Sequence, residues 1–156
     1  MVLRFFEMNI SQKCQYALRA VFELAKRSGD SPTAVSQIAE AQAIPPKFLE
    51  LILGELRQGG FVESRRGIHG GYLLAGSPSA LTVGEIIQFV DGSVAPVRCV
   101  AGGKGTDCPL YGNCAFMGMW SRARDAVAEV YDGTTFQHLL DEEKISCSQY
   151  VPSYCI

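Results

Sequence analysis

The feature that most limits how this chain can fold is its punctuation between residues 43 and 75. Ala43-Ile44-Pro45-Pro46 breaks one apolar helical pattern, and Gly59-Gly60 closes the next. Gly67-Ile68-His69-Gly70-Gly71 then separates two short extended runs, 61–66 and 72–75. Proline removes a backbone donor and clashes inside a helix, but at the first turn its missing N–H is not needed. Pro46 therefore opens a helix that runs to about Gln58. Leu49, Ile52, Leu53 and Leu56 form its inward stripe, while Lys47, Glu50, Leu51 and Gly54 lie largely on the other side. The two extended runs around a glycine-rich turn predict a β-hairpin.

Upstream, Cys14, Ala17, Leu18, Val21, Leu24 and Ala25 recur at helical spacing from Ser11 to Arg27. Ser11 is placed to cap the start and Gly29 lies just past the end. A shorter helix is expected over 33–42, with Val35, Ile38 and Ala39 inward. Three helices and then a hairpin is the order of a winged helix-turn-helix, a fold that presents its third helix and its hairpin to duplex DNA. The fold class expected is mainly α with a small β-hairpin wing.

Beyond the hairpin, a fourth helix is predicted over 82–90, capped by Thr82, with Val83, Ile86, Ile87 and Val90 inward. After it, Phe116, Trp120, Ala123, Val127, Val130 and Tyr131 repeat at roughly heptad spacing. Such a stripe needs cover, and little chain remains to supply it. The expectation is a long dimerisation helix paired with its copy in a two-fold homodimer, against the alternative of a core helix packed within its own domain. Residues 134–143 read as a final short helix and ISCSQYVPSYCI as a loose tail. The division is thus 8–80 as a winged helix-turn-helix domain, 81–143 as linker helix, cysteine loop and dimerisation helix, and 144–156 as a flexible tail.

Net charge is −2. Residues 1–75 carry +2 and residues 76–156 carry −4, which is compatible with the first half facing phosphates. Lys47 and Glu50 stand near the start of the third helix, where such a helix meets base edges. Lys47 suits a phosphate or a guanine, and Glu50 a cytosine amino group. Arg65, Arg66, His69 and Gly70 lie around the hairpin tip, with His69 read as a phosphate-side hydrogen bonder. The bland alternative for each is a solvated surface residue.

No apolar run approaches a membrane span, and MVLRFFEMN is too short and charged for a secretory signal, so a cytoplasmic location without structural disulfides is expected. In that setting VRCVAGGKGTDCPLYGNCAF, residues 97–116, stands out. It holds Cys99, Cys108 and Cys114 among Gly102, Gly103, Gly105 and Gly112. Three thiols on a glycine-rich loop suit an iron–sulfur cluster of 2Fe–2S or 4Fe–4S type, because glycine flanks let several sulfurs wrap one inorganic core. Arg98 and Lys104 favour the thiolate form. The alternatives are thiols without metal, or zinc with a further ligand. A small redox protein is the rival class, but the chain shows no paired catalytic acid and base, no CxxC and no nucleotide-phosphate loop, so no enzyme is expected.

The runs KCQYALRAVFELA, QIAEAQAIPPKFLELILGELRQGGFVESRRGIHGGYLLA and ALTVGEIIQFVDG, followed by a cysteine loop, resemble the bacterial winged-helix iron–sulfur regulator family of IscR, NsrR, RirA and the cluster-free CymR. The resemblance covers about residues 8–143. It implies a homodimeric transcription regulator, a repressor, an activator or both, on a near-palindromic operator in double-stranded DNA. It also implies that Glu50 tunes operator choice, that Arg66 enters a minor groove, and that Cys99, Cys108 and Cys114 hold the cluster. Two departures matter. Met117 stands where IscR-type members place a histidine ligand, and Gln15 where NsrR-like members place an acidic one. Cys14, which also falls on the apolar face of its helix, and Asp107 are the remaining candidates for the fourth ligand. In the CymR-like alternative, a regulatory protein partner replaces the cluster. Cys147 and Cys155 receive no role.

Overall fold

The computed structural model describes residues 10–29, 31–102 and 108–149, with side chains as far as Ser146. Ser11 caps α1 (Gln12–Lys26): its hydroxyl accepts from the Cys14 N–H at 3.1 Å. Asp91, 80 residues away, accepts from the Ser11 N–H at 2.8 Å and from its hydroxyl at 2.5 Å. A carboxylate at a helix start also favours the positive end of the helix dipole.

α2 (Val35–Gln42) begins two residues later than its sequence pattern. Thr33 instead pairs with Tyr72 in an antiparallel bridge, each N–H donating to the other's carbonyl at 2.8 and 2.9 Å. This close backbone approach is why residue 71 is glycine: a Cβ there would lie 2.2 Å from the Thr33 carbonyl oxygen. Ala43 ends α2 in the left-handed conformation, φ 50°. α3 (Pro46–Gln58) follows, with proline at its first turn as expected.

The hairpin is β1 (Val62–Arg65) and β2 (Gly71–Leu74), antiparallel, with Val62 opposite Leu74 and Arg65 opposite Gly71. Nη1 of Arg57, near the end of α3, donates to the Ser64 hydroxyl at 3.1 Å and so clasps the hairpin to the helix before it. α4 (Val83–Val90) carries a reciprocal cap: Thr82 accepts from the Glu85 N–H at 3.2 Å, and Glu85 accepts from the Thr82 N–H at 2.8 Å.

One core runs through these elements. Ala17, Val21 and Leu24 of α1, Ile38 of α2, Leu49, Leu53 and Leu56 of α3, Val62 and Ile86 are all buried in it. Its remaining lid is α6 (Phe136–Gln149), which inserts Phe136 and Leu140. Lys26 of α1 also pairs with Glu143 at 2.8 Å. The sequence pattern ended this helix at Glu143 and left 144–156 loose; residues 144–149 are helical, because nothing in the sequence breaks the helix before Pro152. Cys155 lies outside the described residues, as does the side chain of Cys147.

α5 (Met117–Gly133) differs from every other helix: none of its 17 residues is buried. It rests on α4 beside an open cleft of about 490 Å³ lined by Phe61, Phe89, Val94, Ala128 and Tyr131. Among the described residues, no helix is long and apolar enough to cross a membrane.

Candidate nucleic-acid interface and thiol loop

α3 turns its apolar stripe inward, and this fixes what its other side presents. Lys47 and Glu50 are both exposed near its N-terminal end, as the spacing predicts. Leu51 and Phe48 are exposed there too, by 68 % and 61 %. At the end of β1 the chain leaves the sheet through Arg65, Arg66 and Gly67, then returns through Ile68, His69 and Gly70 to β2. Arg65, Arg66 and His69 are exposed and Gly70 is half-buried. The Gly70 N–H donates to the Gly67 carbonyl at 2.9 Å and closes the tip. A Cβ at Gly70 would lie 2.5 Å from the Arg65 carbonyl oxygen, so the tight tip admits no side chain at that position.

Ile68 is wholly exposed at this tip. Sequence reasoning assigned it nothing. The signal available was an isoleucine flanked by glycine and histidine in a turn, where an apolar residue has no core to reach.

The thiol loop is placed differently. Cys99 is half-buried on a short 3₁₀ turn, Arg98–Val100, that the sequence pattern did not show. The Val100 side chain is buried, and its carbonyl accepts from Nη1 of Arg124 on α5 at 2.8 Å. Cys108 is exposed and Cys114 half-buried. Among the described residues no three His, Cys, Asp or Glu side chains converge to hold a metal ion. Thiolate chemistry suits a cluster, but the described placement does not gather Cys99, Cys108 and Cys114 into one set of ligands.

Of the two candidates for a fourth ligand, Cys14 is fully buried. Burial, together with the charge and hydrogen bond of Asp91, pushes its thiol pKa up to about 12. A ligand must be the thiolate, so this environment opposes the ligand role and fits the packing alternative. Asp107 lies outside the described residues, as does Lys104. Met117 begins α5 and Gln15 spends its side-chain amide on the Ile10 carbonyl at 3.0 Å.

The helix order, the hairpin and the exposed α3 face make a winged helix-turn-helix. A family model described as Rrf2, iron-dependent transcriptional regulator, matches residues 10–142. The chain belongs to the Rrf2 family. Rrf2 relatives agree with this over most of its length. The transcriptional regulator CymR of Bacillus subtilis strain 168 is 38 % identical over 132 residues, 85 % of this chain and 89 % of that protein. Its solved structure, described as that of the global cysteine regulator, superposes with a TM-score of 0.72 over 86 % of this chain and 97 % of that one, at 37 % identity. The transcriptional regulator IscR of Escherichia coli K12 is 33 % identical over 138 residues, 88 % of this chain and 83 % of that protein. The T. potens IscR structure is 28 % identical, with a TM-score of 0.72 and 94 % of each chain covered. This Rrf2 protein is therefore a DNA-binding transcription regulator.

Proposed function

We propose that this Rrf2 protein works in the cytoplasm as a homodimer that reads a near-palindromic operator in double-stranded DNA. The observation that carries the reading is the exposure of a two-part surface: Lys47 and Glu50 on α3 and, beyond Gly59-Gly60, Arg65, Arg66 and His69 of the hairpin. The Arg57–Ser64 hydrogen bond holds its two parts together. α3 enters a major groove, where Lys47 meets phosphate or guanine and Glu50 accepts from cytosine. Arg66 enters the adjacent minor groove, while Arg65, His69 and the backbone at Gly70 meet the phosphate chain. Repression, activation or both follow from where the operator lies relative to the promoter.

The second copy covers α5. A helix with no buried residue, with Met119 and Val130 exposed on it and Phe116 exposed just before it, is an unfinished interface in the single chain. The DNA-binding surface is set by α3, so a pair joined through α5 presents two such surfaces about a two-fold axis.

The loop from Cys99 to Cys114 is the sensing element in this proposal. It joins α4 to α5, and the Arg124–Val100 contact ties the Cys99 turn to α5. A change at the thiols therefore bears on how the two α3 helices are spaced. In the first reading, Cys99, Cys108 and Cys114 hold an iron–sulfur cluster, which supplies sensitivity to iron supply, oxidant or nitric oxide when bound; three thiols within sixteen residues of a glycine-rich loop support it. In the second, the loop carries no cluster and a partner protein controls the regulator. The 38 % identity to CymR of Bacillus subtilis supports that reading.

Anaerobic purification, with iron and sulfide analysis beside visible absorption spectra, separates the two. The first reading predicts brown protein that turns colourless in Cys108→Ala without unfolding. Colourless parent protein, free of iron and sulfide after reconstitution, establishes the second.

A further inference from the structure

The outward face of α3 has two features that the free chain does not explain. The first is apolar. Leu51 is 68 % and Phe48 61 % exposed, although the same helix buries Leu49, Ile52, Leu53 and Leu56. A surface that met only water and phosphate would gain nothing from two large apolar side chains. The second is a missing side chain. Gly54 lies in the middle of α3, where glycine weakens a helix relative to alanine. A Cβ added there would meet nothing within 4 Å, and its backbone is in an ordinary helical conformation. Neither packing nor conformation calls for glycine.

At 100° per residue, Lys47, Leu51, Gly54 and Gln58 fall within about 60° of one another, on the side away from the core stripe. An apolar knob and a bare stretch of backbone thus share one line with a cation. An occupant that explains all three approaches the helix closely at Gly54, offers a small apolar group to Leu51 and carries negative charge for Lys47. Duplex DNA has each of these. In the major groove only thymine shows an apolar group, its C5-methyl.

We infer that Leu51 reads a thymine through its methyl group, with Phe48 widening the apolar contact and Gly54 leaving room for the sugar–phosphate strand. This rests on the DNA-reading role of α3 proposed above and names a base that the polar pair Lys47 and Glu50 does not specify.

The test begins with a duplex selected from a randomised library by the full-length protein. It is then remade with each thymine in turn replaced by deoxyuridine, which removes only the methyl. The expected result is one position in each half-site where the replacement weakens binding about three- to fivefold, the worth of one buried methyl-sized group. In Leu51→Ala the same replacement costs nothing further. Leu51 is exposed, so this variant folds. Gly54→Ala raises the thermal midpoint of the free protein yet weakens DNA binding tenfold or more, opposite signs that a purely structural role does not produce. Indifference to uracil at every position, an undiminished loss in Leu51→Ala, or unchanged binding by Gly54→Ala overturns the inference and leaves the DNA-reading role standing. A library that yields no preferred duplex overturns both.

Discussion

Glu23 lies on α1 with 4 % exposure, a carboxylate almost removed from water. Burial alone would raise its pKa. Hydrogen bonds from Gln42 at 2.9 Å and from Arg27, with the charges of Arg27 and Lys26, outweigh burial and hold it below its ordinary 4.5. A depressed folded-state pKa stabilises the fold above pH 4.5, and that contribution is lost as pH falls through the folded value. Glu23→Ala should cost about 2–3 kcal/mol in urea denaturation at pH 7, with the gap to the parent narrowing below pH 4.5. An equal midpoint at both pH values would contradict the role. Arg66 is the matching test on the interface. Arg66→Ala should weaken DNA binding and lower the slope of log K against log salt by about one per subunit; an unchanged slope removes it from the phosphates and groove. These two residues were not equally legible in sequence. Arg66 shows itself as a charge beside a glycine turn, whereas Glu23 looks like a solvated helix residue until its contact with Gln42, 19 positions on, is seen. Cys14 was ambiguous for a related reason: its apolar spacing indicated burial, but the raised pKa comes from complete burial together with Asp91, which only the fold brings near.

Element boundaries were legible where local chemistry sets them. Ser11 caps α1, Pro46 opens α3 and the Thr82–Glu85 pair opens α4, all within one helical turn of sequence. Non-local pairing was not legible. The Thr33–Tyr72 bridge shortens α2, and the Thr82–Thr135 bridge sets α6 beside the start of α4. The turn carrying Cys99 depends on Val100 burying itself and on Arg124, far along the chain. Ala43 is a local exception, an L-residue in left-handed conformation between α2 and α3. Ala43→Gly should relieve about 1 kcal/mol of that strain and raise the thermal midpoint; a lower midpoint would show that the turn is not strained. α5 makes the other test at this scale. Val130 is 63 % exposed on it. Val130→Asp should give a folded monomer by light scattering at micromolar concentration where the parent is a dimer. A dimer in both proteins would place the interface elsewhere.

At the scale of the whole molecule, the segment between α4 and α5 is tied to the fold at two points. Asp91, just past α4, holds the start of α1. Arg124 on α5 holds the Cys99 turn. The loop between α4 and α5 is thus anchored on both sides, and the order of elements that creates this arrangement was readable from helix spacing and turn residues. What the loop does with its thiols was not readable, because three cysteines on a glycine-rich segment specify donor chemistry without specifying where each sulfur comes to rest. The central claim is a two-fold pair of α3 helices and wings on one operator. Hydroxyl-radical footprinting of the full-length protein on its selected duplex measures that directly. The account predicts two symmetric protected half-sites with centres about 10 bp apart, or a multiple of that spacing. A single asymmetric protected patch would contradict it.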